Sequence, residues 1–270
     1  MTTIKTERIL ANPAIGIDHA GEGELLVLMH GIGGNRTNWT EQVEAFSEHF
    51  HTVSWDARGY GDSDDYEGPL DFGDFARDLK SLLDHFGAEK AHLCGLSMGG
   101  RIAQDFYLQF PERVKSLTLV ATFAGFRSFS SQERQRFIDL RKKPLVEEGK
   151  EPKDIAPIVA KTLIGPAASD DTYQRLVHSM EMLHKESYVK TIEASTMYDK
   201  ALELETVTVP TCLVFGEHDS LTTPETGKAM AERIKGSELH IVPRSGHLIN
   251  IEEPEIFNRI VLGFLQRHNA

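Results

Sequence analysis

The chain has 270 residues, 40% of them hydrophobic and 26% charged, with a formal net charge of -12 at pH 7. That is enough apolar material for one large α/β domain or a domain with an insertion, without a collagenous, low-complexity or disordered signature. The acidic balance argues against a nucleic-acid partner, and the absence of a signal-type or membrane-spanning apolar run leads us to expect a soluble, cytoplasmic protein with no membrane partner.

In chain order, Ala11 to Asp18 is expected to form part of an opening hairpin that turns at Gly21-Glu22-Gly23. Leu25-Leu26-Val27-Leu28-Met29 is a continuous apolar run between turn residues, the mark of a strand buried on both faces. It ends in His30-Gly31-Ile32-Gly33-Gly34, where glycines can turn backbone N–H groups into a cleft that would hold an oxyanion. An ordinary glycine turn before a helix fits the same residues. The Ile32 N–H is the candidate donor, and His30 is expected to brace the loop rather than do chemistry. Trp39 to Phe50 reads as a helix with Trp39, Val43, Phe46 and Phe50 on one side. Trp39 fits either core packing or the edge of a pocket. A strand over His51 to Trp55 runs into Asp56-Ala57-Arg58-Gly59-Tyr60-Gly61-Asp62-Ser63, a loop expected to be shaped by hydrogen bonds, with Arg58 as an ion-pair partner. Asp71 can cap a helix over Phe72 to Phe86, and Gly87 can end it.

The most informative stretch is Leu93-Cys94-Gly95-Leu96-Ser97-Met98-Gly99-Gly100, a strand that must reverse into a helix within a residue or two. Gly95 and Gly99 let the two backbones approach, and Ser97 then sits at the apex with its hydroxyl exposed. A glycine-rich loop with a surface serine is the plainer alternative. The Met98 N–H, next to the serine, is the second candidate oxyanion donor. Another buried strand follows over Ser116 to Ala121. Strands alternating with helices in this rhythm imply a mostly parallel sheet covered on both faces.

At Phe123 the rhythm breaks. From Phe126 to Leu204 only helical patches occur, over Ser131–Leu140, Asp154–Leu163, Asp170–His184 and Ser187–Asp199, punctuated by Lys142-Lys143-Pro144, Pro152, Pro157 and Gly165-Pro166. They are expected to form a lid over the carboxyl ends of the strands, with Phe123, Phe126, Phe129, Met180, Met182 and Met197 lining an apolar pocket or simply packing. The sheet resumes with Thr211 to Gly216, after which Asp219 is placed to receive a hydrogen bond from a histidine. A last strand over Glu238 to Val242 leads to Gly246-His247-Leu248, with His247 the candidate base and Leu248 beside the pocket. A helix over Pro254 to Arg267 closes the chain. Cys94 and Cys212 fall in core strands, where a thiol acts as a small hydrophobe, and no disulfide is expected. No two of the 12 histidines have zinc-site spacing, so neither metal nor cofactor is expected.

Serine, acid and base occur in the order Ser97, Asp219, His247, and the blocks His30-Gly31-Ile32-Gly33, Asp56 to Ser63, Gly95 to Gly100, Gly216-Glu217-His218-Asp219 and Gly246-His247 resemble those of the α/β-hydrolase superfamily. The resemblance extends over essentially the whole chain. It implies a mostly parallel central sheet flanked by helices, with a helical cap inserted after the sixth core strand: 1–125 and 205–270 as core, 126–204 as cap. The elbow and four-helix lid look most like the 3-oxoadipate enol-lactonase and small carboxylesterase group. The expected chemistry is hydrolysis of an ester or lactone of a small apolar or aromatic-pathway substrate through an acyl-serine, with Ser97, His247 and Asp219 as triad and Ile32 and Met98 as oxyanion hole. Meta-cleavage product hydrolases and cofactor-free haloperoxidases share these blocks, and a ligand receptor on the same fold is the non-enzymatic alternative. A homo-oligomer is compatible with the sequence, which does not read out assembly.

Overall fold

The buried apolar runs of the sequence become the parallel part of one eight-stranded sheet. The computed structural model describes residues 3–9, 11–166 and 168–269; Met1, Thr2, Leu10, Ala167 and Ala270 lie outside the described residues. The strands are β1 (Lys5–Ile9), β2 (Ile15–Ala20), β3 (Leu25–Met29), β4 (His51–Trp55), β5 (Ala91–Leu96), β6 (Val114–Val120), β7 (Thr211–Gly216) and β8 (Glu238–Val242). They lie in the order β1-β2-β4-β3-β5-β6-β7-β8, antiparallel for β1 with β2 and β2 with β4, and parallel elsewhere.

Because side chains alternate across a strand, each apolar run feeds two cores. Val27, Met29, Leu93, Leu213 and Phe215 pack on one face with α2 (Gly73–His85) and α3 (Met98–Gln109). Leu26, Leu28, Cys94, Cys212 and Val214 pack on the other with α1 (Thr40–Phe46) and the last helix, Pro254–Arg267. Each such Val, Leu, Met or Phe side chain, fully withdrawn from water, stabilises the fold by about 1.5–3 kcal/mol. Cys94 and Cys212 both lie level with Thr118 on the strand between them, about 10 Å apart at ordinary strand spacing. Both thiols are free and buried.

Three expectations change. The opening hairpin turns between Ile9 and Ile15 instead of at Gly21-Glu22-Gly23; those glycines carry the chain from β2 to β3, while β2 pairs with β4. Gly21 serves close approach: at φ +82, a Cβ there would fall 2.3 Å from the Phe50 carbonyl oxygen. The helix expected over Trp39 to Phe50 is a 3-10 turn over Arg36–Trp39 followed by α1. Pro144 does not end its helix, which runs on to Val146 although the proline has no N–H to donate back along it.

Between β6 and β7 the chain forms α4 (Ser131–Val146), α5 (Pro152–Leu163), α6 (Asp170–Glu181) and α7 (Lys185–Met197), with no strand among the described residues. α5 packs on α6 and α4 on α7. Residues from all four face the carboxyl ends of the parallel strands across a cavity. After β7 come α8 (Pro224–Arg233), α9 (Ile249–Glu252) and α10 (Pro254–Arg267). Among the described residues no helix is long and apolar enough to cross a membrane.

Candidate active site

Ser97 joins β5 directly to α3 and is held at φ 54, ψ -111, a conformation that side chains rarely adopt and that costs roughly 1–3 kcal/mol. Two glycines make the turn physically feasible. A Cβ at Gly95 would fall 2.2 Å from the Gly99 carbonyl oxygen, and one at Gly99 would fall 2.2 Å from that of Met29. The serine is anchored through its backbone, whose N–H donates to Val120 O at 2.8 Å and whose carbonyl accepts from Thr122 Oγ1 at 2.7 Å.

Asp219 and His247, drawn from the loops after β7 and β8, meet in the buried interior. His247 Nδ1 lies 2.7 Å from Asp219 Oδ2. An ionised carboxylate only accepts, so Nδ1 carries the proton and Nε2 is left with its lone pair. Asp219 also accepts from the N–H groups of Leu221 (2.8 Å) and Thr222 (3.1 Å) and from Thr222 Oγ1 (2.6 Å). Burial pushes its pKa up, but these donors and His247 outweigh burial and hold the carboxyl below its ordinary value. Ser97 and His247 line the same cavity. Among the described residues no hydrogen bond joins their side chains, a contact that in many such sites tightens only with substrate in place.

Neither the Ile32 nor the Met98 backbone N–H has a hydrogen-bond partner among the described residues. Met98 opens α3, where the first N–H groups have no intrahelical acceptor, so its donor is available by construction. The Ile32 loop is braced by His30, as expected: Nε2 accepts the Ala57 N–H at 3.0 Å, which leaves Nδ1 to donate to Gly31 O at 2.7 Å. Burial pulls the pKa of His30 down and keeps it neutral in this role. Arg36 ties the same segment to Asp18, Asp56 and Asp62, and Arg58 makes a forked pair with Asp78 at 2.7 Å on both arms.

The cavity has a volume of about 640 Å³. Of the pocket residues expected from sequence, Trp39, Phe123, Phe126, Met180 and Leu248 line it, as do Ile32 and Met98. Phe129 lines it too. Met197 is a correction: it ends α7 with 44% exposure, on the side roughly opposite the stripe through Tyr188, Ile192 and Ser195 that faces inward. Met182, at 39% exposure, is likewise outside.

Sequence pattern did not single out Thr222, Glu252, Arg101 or Arg141. Glu252 Oε2 accepts from Gly165 N (2.6 Å) and Gly246 N (3.0 Å), and Oε1 from Leu248 N (3.1 Å). The His247 N–H donates to Leu163 O at 2.7 Å. The histidine loop is thus fastened to the end of α5. The only local signal for Glu252 was an acid five residues after the histidine, which reads as the start of an exposed helix.

A family model described as the alpha/beta hydrolase fold matches residues 24–254. The 3-oxoadipate enol-lactonase 2 of Acinetobacter baylyi is 28% identical over 248 residues, covering 90% of this chain and 89% of the relative. The 2-hydroxy-6-oxononadienedioate/2-hydroxy-6-oxononatrienedioate hydrolase of Escherichia coli (strain K12) is 31% identical over 267 residues, covering 94% and 91%. Among solved structures, a thermophilic esterase from Thermogutta terrifontis superimposes with a TM-score of 0.88 at 24% identity, covering 98% of this chain and 100% of its own. The enol-lactonase from Burkholderia xenovorans LB400 gives 0.84 at 24% identity, with 96% and 100% covered. At that identity the structural likeness shows the fold.

Proposed function

The chain belongs to the alpha/beta-hydrolase family, within the group that contains enol-lactonases and esterases, and from that premise we propose that it is a serine hydrolase of carboxylic esters or lactones. The observation that carries the reading is the buried Asp219–His247 pair facing the same cavity as a strained, helix-initiating Ser97. A serine hydroxyl is a poor nucleophile at neutral pH, so His247 Nε2 takes its proton as the oxygen attacks the substrate carbonyl, while Asp219 fixes the imidazole tautomer and stabilises the imidazolium. The N–H groups of Ile32 and Met98 receive the developing oxyanion, each worth on the order of 3 kcal/mol in the transition state. His247 then protonates the departing alcohol, leaving acyl-Ser97, and activates the water that releases the acid. From a lactone the alcohol stays tethered and the product is a hydroxy acid, or a keto acid when the lactone is an enol ester. Residues 126–204 act as the cap that closes the cavity.

The test sets wild type beside Ser97→Ala against esters, lactones and a ring-fission dienoate, with a fluorophosphonate as covalent probe. Ester or lactone turnover that falls by about 10³-fold or more in the variant, with phosphonylation of wild type at Ser97 alone, is the expected result. Turnover of the dienoate without turnover of esters or lactones would replace the reading with carbon–carbon hydrolysis; the Escherichia coli relative is named as a hydrolase of an oxononadienedioate. A single slow turnover with product retained would point to a receptor.

A further inference from the structure

The two helix pairs of residues 126–204 meet the core through different contacts. The α4–α7 pair is tied to the loop after β4, where Ser187 Oγ donates to Asp65 Oδ1 at 2.6 Å and Lys190 Nζ to Tyr66 O at 3.2 Å. It is also tied to α3, where Arg101 Nη1 donates to Ser195 O at 2.7 Å. Among the described residues, no hydrogen bond or ion pair runs from α4 or α7 to residues 30–38 or 245–252, the two loops that carry the Ile32 N–H and His247.

The α5–α6 pair reaches both of those loops. The turn that follows α5 lies backbone on backbone against the histidine loop: the His247 N–H donates to Leu163 O at 2.7 Å, and the N–H groups of Gly165 and Gly246 share Glu252 Oε2. Only glycines allow that approach. A Cβ at Gly165 would fall 2.5 Å from Arg244 O, and one at Gly246 would fall 2.6 Å from the Ile164 carbonyl carbon. On the other loop, Ser179 of α6 is 3% exposed and sets its hydroxyl between two buried side chains: Oγ accepts from Asn35 Nδ2 and donates to Asn38 Oδ1, each at 3.2 Å. Asn38 Oδ1 also accepts the Asn35 N–H at 3.0 Å, so the serine hydroxyl buttresses the cap of the 3-10 turn just past Ile32. Met180, next to Ser179, packs on Gly33, where a Cβ would lie 3.6 Å from its Cγ. A forked pair of Arg175 with Glu41, at 2.6 and 3.0 Å, fixes α6 on α1. Ala160 of α5 and Leu176 of α6 complete the contact in one apolar cluster with Trp39 and Leu248.

Neither loop has a ladder of its own to hold it, so its backbone conformation is set by these neighbours, and lifting α5–α6 would break the bonds on both sides at once. Transition-state stabilisation needs the donor and the base held to within about 0.5 Å. We propose that the α5–α6 pair is a brace for the reaction centre and not a movable lid: Ser179 positions the Ile32 donor, the Leu163–Gly165 turn positions His247, and one rigid unit thereby sets the distance between oxyanion donor and base. This goes beyond the serine-hydrolase reading and rests on it. Neither Ser179 nor Gly165 lines the cavity, so both act through the loops they hold.

The experiment measures kcat and KM on a chromogenic ester, and amide hydrogen exchange without substrate, for wild type, Ser179→Ala, Gly165→Ala and Tyr198→Phe. Tyr198 follows α7 and donates to Asp105 on α3, so its variant loosens the other helix pair without touching either loop. Ser179→Ala should lower kcat about fivefold or more and Gly165→Ala about tenfold or more, each with KM within about threefold of wild type, while Tyr198→Phe keeps kcat within about twofold. Exchange should quicken about tenfold or more at residues 34–38 in Ser179→Ala and at residues 246–248 in Gly165→Ala, and at neither in Tyr198→Phe. If Gly165→Ala does not fold, Glu252→Gln, which loosens the same turn without added bulk, takes its place. An unchanged kcat, a loss carried by KM alone, or a fall of equal size in Tyr198→Phe overturns the brace. If wild type turns over no ester or lactone, the serine-hydrolase reading has failed on its own terms and exchange decides: quickening confined to the two loops supports the brace, and unchanged exchange there overturns it.

Discussion

Replacing Glu252 by Gln separates what this carboxylate does for the fold from what it does for the site. Three backbone N–H groups converge on it at 2.6, 3.0 and 3.1 Å, and as charge-assisted hydrogen bonds of about 1.5–3 kcal/mol each they would make it a strong anchor. Burial acts in the opposite direction and prevails: it pushes the carboxyl above its ordinary value, against the three N–H groups and the nearby His247. A folded-state value above the unfolded one means that the contribution to stability is complete below the ordinary carboxylate value and is lost as pH rises through the folded value. At neutral pH the ionised group therefore adds little to the fold. Glutamine keeps an acceptor for two of the N–H groups and leaves one unpaired, a loss of about 1–2 kcal/mol offset by removal of the buried charge. The expected Tm at pH 7 is within about 3 °C of wild type, and the stability gap between the two proteins narrows or reverses between pH 4 and pH 8. Catalysis should respond more strongly. His247 sits between two of the anchored residues, and its imidazolium loses an attractive charge, so we expect kcat to fall roughly ten- to a hundredfold with KM little changed. Calorimetry and steady-state kinetics on a chromogenic ester measure both. A Tm lower by about 8 °C with kcat intact would refute the reasoning, because Glu252 would then be a structural clamp and not a positioning residue.

Gly99→Ala sets a methyl group 2.2 Å from the Met29 carbonyl oxygen and 2.9 Å from that of His30, neither of which can swing aside. The expected destabilisation is about 3 kcal/mol or more, a fall in Tm of roughly 6 °C or more, with most activity gone because the Met98 donor is displaced; a melt at the wild-type temperature contradicts that packing. Asp219→Asn presents an amide to His247 Nδ1 and favours the wrong tautomer, so kcat should fall by about 10⁴. In wild type the depressed Asp219 pKa gives stability that is present above the ordinary aspartate value of about 3.9 and is lost as pH falls through the folded value. Melts of the Asn variant between pH 2.5 and 5 should consequently show a shallower acid limb, and an unchanged slope would count against the hydrogen-bond account of that carboxylate.

Strands buried on both faces were legible because nothing competes with a continuous apolar run bounded by turns, as in Leu25 to Met29 and Thr211 to Gly216. The helix stop at Gly87 was equally plain, since only glycine sits easily at its φ of +65. The edge strand was not. Four of the five residues of β1 are exposed, so its pairing rests on backbone hydrogen bonds that leave no hydrophobic period. Gly21 was visible but misassigned, because a glycine needed for close approach to another segment looks the same in sequence as one needed for a turn.

The same limit governs the site. Ser97, Asp219 and His247 each announce themselves through a local signature, a glycine-flanked apex or a polar residue just past a core strand. Arg101, Arg141 and Glu252 have none, because what distinguishes them is which groups the fold brings near them or keeps away. Two arginines have no carboxylate partner among the described residues, and a half-buried glutamate gathers three backbone N–H groups from two segments; such neighbourhoods are a property of tertiary packing with no footprint in the chain's own order. The hydrolase class was therefore readable from the sequence, while the contacts that fasten the histidine loop and the charges that line the cavity had to wait for the fold. A charge balance taken over the whole chain gives no hint of them: the net is -12, yet among the described residues that line the cavity there is no Asp or Glu, and three arginines are.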